Sequence, residues 1–356
     1  MTDEPSTAIV EADPPAPPAA GAMFGFGDPE SVIDRRELAQ FFEIWHNGRW
    51  YEPPIPLGKL AQAFNMSPYH RSAIALKVNM LVAQHTPSRW LGSDHFERFA
   101  LDFCQMGNAY FEWVPNLAGR LARVEFSPAI HTRVGIAAGV YWFVNGPLGK
   151  AHAFDPGRIF HLMQPDVAQE LYGVPEWMAA LQSGLLSENA TLFRRRYYLN
   201  GAHAGFVFYV SETLADTATI EALEQKLLSA KGVGNFKNLF AYIPGGKKDG
   251  IQIMPIADVT AKDEFASVKN ISRDDLLAGH RTPPQLIGVI PTNNGGFGDV
   301  GLTRDNYYRT EIVPIMRRML RVNTDFGIEL LSFRPFYTSK GTVIHQDGTE
   351  EDAPRR

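Results

Sequence analysis

The sequence predicts a mixed α+β chain, and three observations carry that reading. Helical and extended periodicities both occur along the chain, with no internal repeat. Two long helical stretches, residues 173–200 and 259–282, bracket an insert with strands of its own. The composition is that of an ordinary globular protein, with 45% hydrophobic and 21% charged residues in 356.

The elements follow in order. Residues 1–30 are rich in Pro and Ala and cannot bury enough apolar surface to offset their ordering entropy, so a disordered tail is expected. Helical spacing then places Leu38, Phe41, Phe42 and Trp45 on one stripe of residues 34–45. The same spacing predicts helices over 69–84 and 94–106. A β-rich block follows, with short β-branched or aromatic runs at 109–115, 120–127, 131–134, 140–144 and 158–163, separated by Gly, Pro and Asn. The first long helix is expected from Val174 to Leu199, with Pro175 in its first turn and Asn200-Gly201 at its end. Within the insert, strands at 205–210, 239–243 and 251–255 accompany a helix at 216–231. Thr260-Ala261-Lys262-Asp263 reads as a capping box opening the second long helix, which stops before Pro283-Pro284. After a Gly/Asn loop, a final amphipathic helix is expected over 302–323, and residues 338–356 read as a second disordered tail.

Charge and cysteine usage narrow the function classes. The net charge is −5 and the sequence pI about 6.1. A tight grip on duplex DNA usually needs a basic excess to neutralise phosphates; a conduit past which DNA slides does not. A single cysteine, Cys104, excludes an intrachain disulfide, and no Cys/His cluster has metal-ligand spacing. No cofactor or metal is expected. No apolar run approaches a membrane span, and Met1-Thr2-Asp3-Glu4-Pro5 lacks a secretory n-region, so a cytoplasmic site of synthesis is expected.

Catalytic motifs are missing: there is no G-x-S-x-G, no H-E-x-x-H and no Walker loop. Gly245-Gly246-Lys247-Lys248 lacks phosphate-loop spacing. His131, His161, His203 and His280 are scattered and read as packed or surface histidines. Asp274-Asp275 are adjacent on a helix, point about 100° apart and cannot share a proton. The sequence yields no catalytic residue. Trp45, Trp50 and Tyr51 read as aromatic core or interface.

Several segments carry a specific resemblance. They include Asn47-Gly48-Arg49-Trp50-Tyr51-Glu52-Pro53-Pro54, Gly107-Asn108-Ala109 and Gln169-Glu170-Leu171-Tyr172-Gly173-Val174-Pro175-Glu176. Further on come Ala190-Thr191-Leu192-Phe193-Arg194-Arg195, Asn200-Gly201-Ala202-His203-Ala204-Gly205 and Asn235-Phe236-Lys237-Asn238-Leu239-Phe240. The last is His280-Arg281-Thr282-Pro283-Pro284-Gln285-Leu286-Ile287-Gly288. From about residue 30 to 336 the sequence resembles phage portal proteins of the PBSX type.

The resemblance implies a ring, usually of twelve copies, at one capsid vertex. It implies a wing over 31–172, stem helices at 173–200 and 259–282, a clip over 201–258 and a tunnel-loop region at 283–300. Residues 301–337 would return to the wing or form a small crown. Implied partners are further copies of the chain, the terminase large subunit, capsid and scaffold proteins, neck proteins, and double-stranded DNA passing without sequence preference. No membrane is involved, and the location would be the virion, with the host cytoplasm during assembly. Candidate site residues follow from position. Asn293, Asn294, Gly295, Gly296 and Phe297 would line the channel, small and uncharged as sliding requires. Arg194, Arg195 and Arg196 would complement a helix C-terminus, pair between subunits or meet DNA. Lys247, Lys248 and Asp249 would form a clip tip, solvated or facing terminase.

Overall fold

The structure, a computed structural model, describes residues 45–145, 151–199, 206–210, 239–242, 251–255, 261–289 and 298–353. The chain divides into two compact units. One comprises Glu30–Thr191 with Phe265–Arg356, the other Met1–Pro29 with Leu192–Glu264.

The larger unit opens with α1 (Leu57–Ala63) and α2 (Pro68–Gln84). Pro68 suits the first turn of α2 because its missing N–H would have no partner there. A two-residue strand β1 (His85–Thr86) leads to α3 (Ser93–Met106). Gly107, at φ +69, ends α3 in the left-handed conformation that glycine adopts without a Cβ clash.

The β-rich block is two small sheets. In the first, β2 (Asn108–Pro115) lies between β3 (Leu121–Ser127) and β7 (Ile159–Met163), antiparallel to both. The second runs β4 (Thr132–Val134), β5 (Tyr141–Phe143), β6 (His152–Ala153), all antiparallel. Helix α3 covers the first sheet: Phe99 stacks on Phe111 with ring centroids 3.9 Å apart, and both are fully buried. Burial of each such ring stabilises the unit by roughly 1.5–3 kcal/mol.

Beyond β7 a 3₁₀ turn, Glu176–Ala180, precedes α4 (Leu181–Leu199). The helix expected from Val174 therefore starts later: Pro175 initiates a tighter turn, which aims Glu176 inward. In the smaller unit, β8 (Phe206–Val210) pairs parallel with β9 (Leu239–Tyr242) and antiparallel with β10 (Ile251–Pro255). Parallel neighbours need a crossover connection, which residues 211–238 supply; the helix expected there lies outside the described residues. So do residues 1–44, including the helix expected at 34–45 apart from Trp45.

Helix α5 (Ala261–Gly279) returns the chain to the larger unit, and a 3₁₀ turn, Pro284–Ile287, follows. The final helix is not continuous. It runs as α6 (Val300–Tyr307), a π turn (Tyr308–Ile312), α7 (Val313–Met319) and α8 (Arg321–Phe326). Pro314 accounts for the break, since it offers no N–H and its ring would crowd the carbonyl of Thr310 in a regular helix. The apolar stripe survives: Tyr308, Ile312, Ile315 and Met319 are all buried.

The C-terminal residues correct an expectation. Instead of a disordered tail from 338, β12 (Phe336–Tyr337), β13 (Thr342–Ile344) and β14 (Glu350–Asp352) form an antiparallel sheet. The cause is local. Phe336 stacks on Tyr308 at 3.9 Å, Val343 and Ile344 are buried, and Gly341 and Gly348 turn the chain at positive φ. A two-residue strand β11 (Ser332–Phe333) pairs with β1.

Candidate functional site

The larger unit holds the roots of both long helices, and a buried charge cluster ties them together. Glu176 stands just before α4 and Arg281 just after α5. Lys77 of α2 and Glu311 of the π turn are almost wholly buried and pair directly, and Lys77 also reaches Glu176 at 3.3 Å. Arg281 clasps Glu311 through two nitrogens, at 2.8 and 3.1 Å, and pairs with Glu176. Gln164, at the end of β7, donates to Glu176 at 2.8 Å and accepts from Arg318 of α7.

Arg281 adopts φ +53, and it is the one non-glycine residue with positive φ among the described residues. The reason is a Schellman ending of α5. The Thr282 N–H bonds the Leu277 carbonyl at 2.9 Å and the Arg281 N–H bonds the Ala278 carbonyl at 2.9 Å. Glycine usually fills this place, and a side chain there costs about 1–2 kcal/mol. The two carboxylates that receive the guanidinium offset it.

The helix roots also approach closely. A Cβ on Gly279 would lie 2.6 Å from the Ala180 Cβ, and one on Gly184 the same distance from the end of the Met66 side chain. Ser183 donates to Asp275 across the gap. A second backbone-to-backbone contact seats the segment leading into α4. A Cβ on Gly173 would fall 2.1 Å from the Gly107 carbonyl oxygen. Asn108 fastens this contact, donating to the Met106 and Gly173 carbonyls and accepting from the Gly173 N–H and the His161 Nε2.

Beside the charges lies a neutral relay. The Gln105 amide donates to the Leu60 carbonyl, so its oxygen accepts from His70 Nε2; His70 Nδ1 then accepts from His280 Nε2 at 2.9 Å. Burial pushes His70 down to about 4 and His280 down to about 2, His70 and Lys77 adding to the effect on His280. Burial opposes the charge on Glu176, but Lys77 and Arg281 outweigh it and hold its carboxyl below the usual value. Its hydrogen bonds to Glu311, then to Glu176, raise the Arg281 guanidinium above its already high value, against burial. Between these groups is a cavity of about 20 Å³, room for a single water, lined by Lys77, Cys104, Gln164 and Glu176 among others. Burial pushes the Cys104 thiol up to about 12, so it is no nucleophile at neutral pH. Among the described residues no group of acidic, His or Cys side chains could hold a metal, and no helix is long and apolar enough to cross a membrane. The arrangement is a clamp.

No protein-family model matches the chain. A protein of Escherichia phage P2 bearing the name "Probable portal protein" is 44% identical over 313 residues, 88% of this chain and 91% of its own length. One of the same name from Haemophilus phage HP1 is 34% identical over 76% of this chain and 79% of its own. The chain belongs to the phage portal protein family. Solved structures agree on the fold. The crystal structure of an HK97 family phage portal protein from Corynebacterium diphtheriae shares it at TM-score 0.55 and 13% identity, over 77% of this chain and 93% of that one. A chain from the neck of a native gene transfer agent particle, computed with C12 symmetry, does so at TM-score 0.56 and 17% identity, over 79% and 83%.

In this portal chain the arginines near the end of α4 are the site residues read from sequence that lie among the described residues. Arg194 and Arg195 are exposed on α4, within its last two turns, with Arg196 next along the helix. Lys247, Lys248 and Asp249 lie outside the described residues, as do Asn293 to Phe297. The portal's clamp was not read from sequence as a site. Glu176, Arg281, Gly107, Asn108 and Gly173 stand inside the segments that carry the family resemblance, which is the signal that marks them.

Proposed function

We propose that the chain is one subunit of a closed, cyclic ring through which phage DNA enters and leaves the head. Its close relation to the phage P2 portal, over nearly the whole of both chains, carries this reading. The described C12 symmetry of a fold relative supports twelve copies with head-to-tail interfaces. Residues 31–172 with 301–337 form the wing, 173–200 and 259–282 the stem, 201–258 the clip, and 283–300 the tunnel-loop region. The clip docks terminase during packaging, scaffold and capsid proteins meet the wing, and neck proteins later replace the motor. DNA slides past Asn293, Asn294, Gly295, Gly296 and Phe297 without sequence preference. ATP hydrolysis belongs to terminase. The clamp at the stem root transmits axial load from the stem into the wing, because both helices end on one buried ion cluster.

Negative-stain microscopy with solution mass tests the proposal. A hollow ring of about twelve 39.6 kDa chains is expected. A monomer or dimer that fails to close even with scaffold protein present overturns it.

A further inference from the structure

We propose that Asn47-Gly48 is a self-modification site: in the folded chain Asn47 deamidates through a cyclic imide closed by the Gly48 nitrogen. This does not depend on the ring. The pair stands at the tip of a hairpin in which His46 bridges Tyr51 and the Asn47 N–H donates to the Trp50 carbonyl at 3.2 Å. Both residues are exposed, and they are the one Asn-Gly pair among the described residues. The turn holds the asparagine side chain in a single orientation. Asn47 Oδ1 accepts from the Arg49 N–H at 3.0 Å and from the Trp50 N–H at 3.1 Å. Two backbone donors polarise that carbonyl, and the same two donors meet the oxyanion that forms when Cγ is attacked.

The attacking group is unencumbered. The Gly48 N–H makes no hydrogen bond among the described residues, and a Cβ at Gly48 would have nothing within 4 Å. The Gly48 nitrogen gives up its proton to solvent and bonds to the Asn47 Cγ, and the side-chain nitrogen departs as ammonia. Water then opens the imide. Breaking the nitrogen–Cγ bond gives aspartate; breaking the bond between that nitrogen and the Asn47 main-chain carbonyl gives isoaspartate. Over both steps one water is consumed and one ammonia released.

The fold supplies its own comparison. Exposed Asn116 has the same cradle, its Oδ1 accepting from the Ala118 N–H at 2.9 Å and the Arg120 N–H at 3.0 Å. The residue after it is Leu117, whose side chain crowds the attacking nitrogen. Conversion has a structural consequence at Asn47. The hairpin is sewn to the β4 end by the Tyr51 N–H on the Val134 carbonyl at 2.9 Å and the Ile136 N–H on the Arg49 carbonyl at 3.1 Å. In isoaspartate the carbonyl that held the Arg49 and Trp50 N–H groups becomes part of the main chain, so the turn loses its cradle and the hairpin loosens.

The test incubates the full-length chain, folded and urea-unfolded, in mildly alkaline buffer and follows each asparagine by peptide mass spectrometry as –NH2 is exchanged for –OH. Asn47 in the folded chain should convert at a rate within about tenfold of the unfolded chain, because the turn already presents Cγ to the nucleophile. Asn116 should convert at least about tenfold more slowly than Asn47, because a side chain crowds its nucleophile. A folded chain slower than that bound at Asn47, or Asn116 converting as fast as Asn47, overturns the proposal. Limited trypsinolysis reads the consequence. Cleavage after Arg49 should be faster in the isoaspartate fraction than in unconverted chain, since cleavage tracks the opened population; equal rates would overturn the loosening of the hairpin.

Discussion

Glu311 is the acceptor on which Lys77 and Arg281 converge, and the side chains of Glu311 and Lys77 are each 5% exposed. Removing it takes the nearer of two carboxylates from the Lys77 ammonium, in a site with little water, and leaves it only the 3.3 Å pairing with Glu176, which Arg281 shares. Glu311→Ala should lower unfolding stability by about 3–5 kcal/mol, read from denaturant midpoints. Lys77→Met with Glu311→Leu should cost much less than the two single changes summed, because Arg281 keeps Glu176 and no buried charge is left alone. Additive losses would show that the cluster is not one unit. Glycines offer a matched pair. Gly173→Ala meets only backbone, at 2.1 and 2.4 Å, with no side chain to yield, so a loss above about 4 kcal/mol or an insoluble product is expected. Gly58→Ala, in α1 with open space around it, should instead stabilise by roughly 0.5–1 kcal/mol.

Among elements, α2 and the end of α5 meet through the His70–His280 hydrogen bond, which requires the accepting His70 ring to be neutral. The folded values of the two histidines, about 4 and about 2, lie below the value of about 6.5 in an unfolded chain. Below pH 6.5 the unfolded chain takes up protons that the folded chain refuses. Stability is therefore complete above that pH and lost progressively as pH falls toward 4, by about 1.4 kcal/mol per pH unit for each such histidine. Burial depresses His85 and His161 in the same sense, with Arg334 adding to His85. His70→Gln should thus flatten the fall in melting temperature between pH 6.5 and 5 without abolishing it; an unaltered slope would mean that His70 does not titrate on unfolding. The elements themselves were largely legible in the sequence. Helices α2 and α3 and strands β2, β3 and β7 follow from periodicity and from glycine punctuation. The misses have local causes. Pro314 sits inside an unbroken apolar stripe, and the stripe concealed the π turn. The C-terminal sheet buries too few apolar residues to outweigh a charged composition.

For the whole molecule the sequence is informative about family and nearly silent about the clamp. Lys77, Glu176, Arg281 and Glu311 are separated by long stretches of chain, and each alone reads as a solvated charge; only tertiary packing of α2, the 3₁₀ turn before α4, the α5 terminus and the π turn makes them a site. That placement separates two tasks. The clamp and the main apolar core lie in one compact unit, whereas strands β8, β9 and β10 lie in the other and form a sheet of their own. Replacing residues 205–255 with a short Gly/Ser linker should therefore leave the larger unit folded and the ring closed, seen as unchanged particle diameter and thermal transition. Binding of the terminase large subunit to that ring, followed by co-sedimentation, should be lost. Retained binding would move the motor interface off the insert and onto the larger unit, and collapse of the ring would mean that the insert contributes to closure as well as to docking.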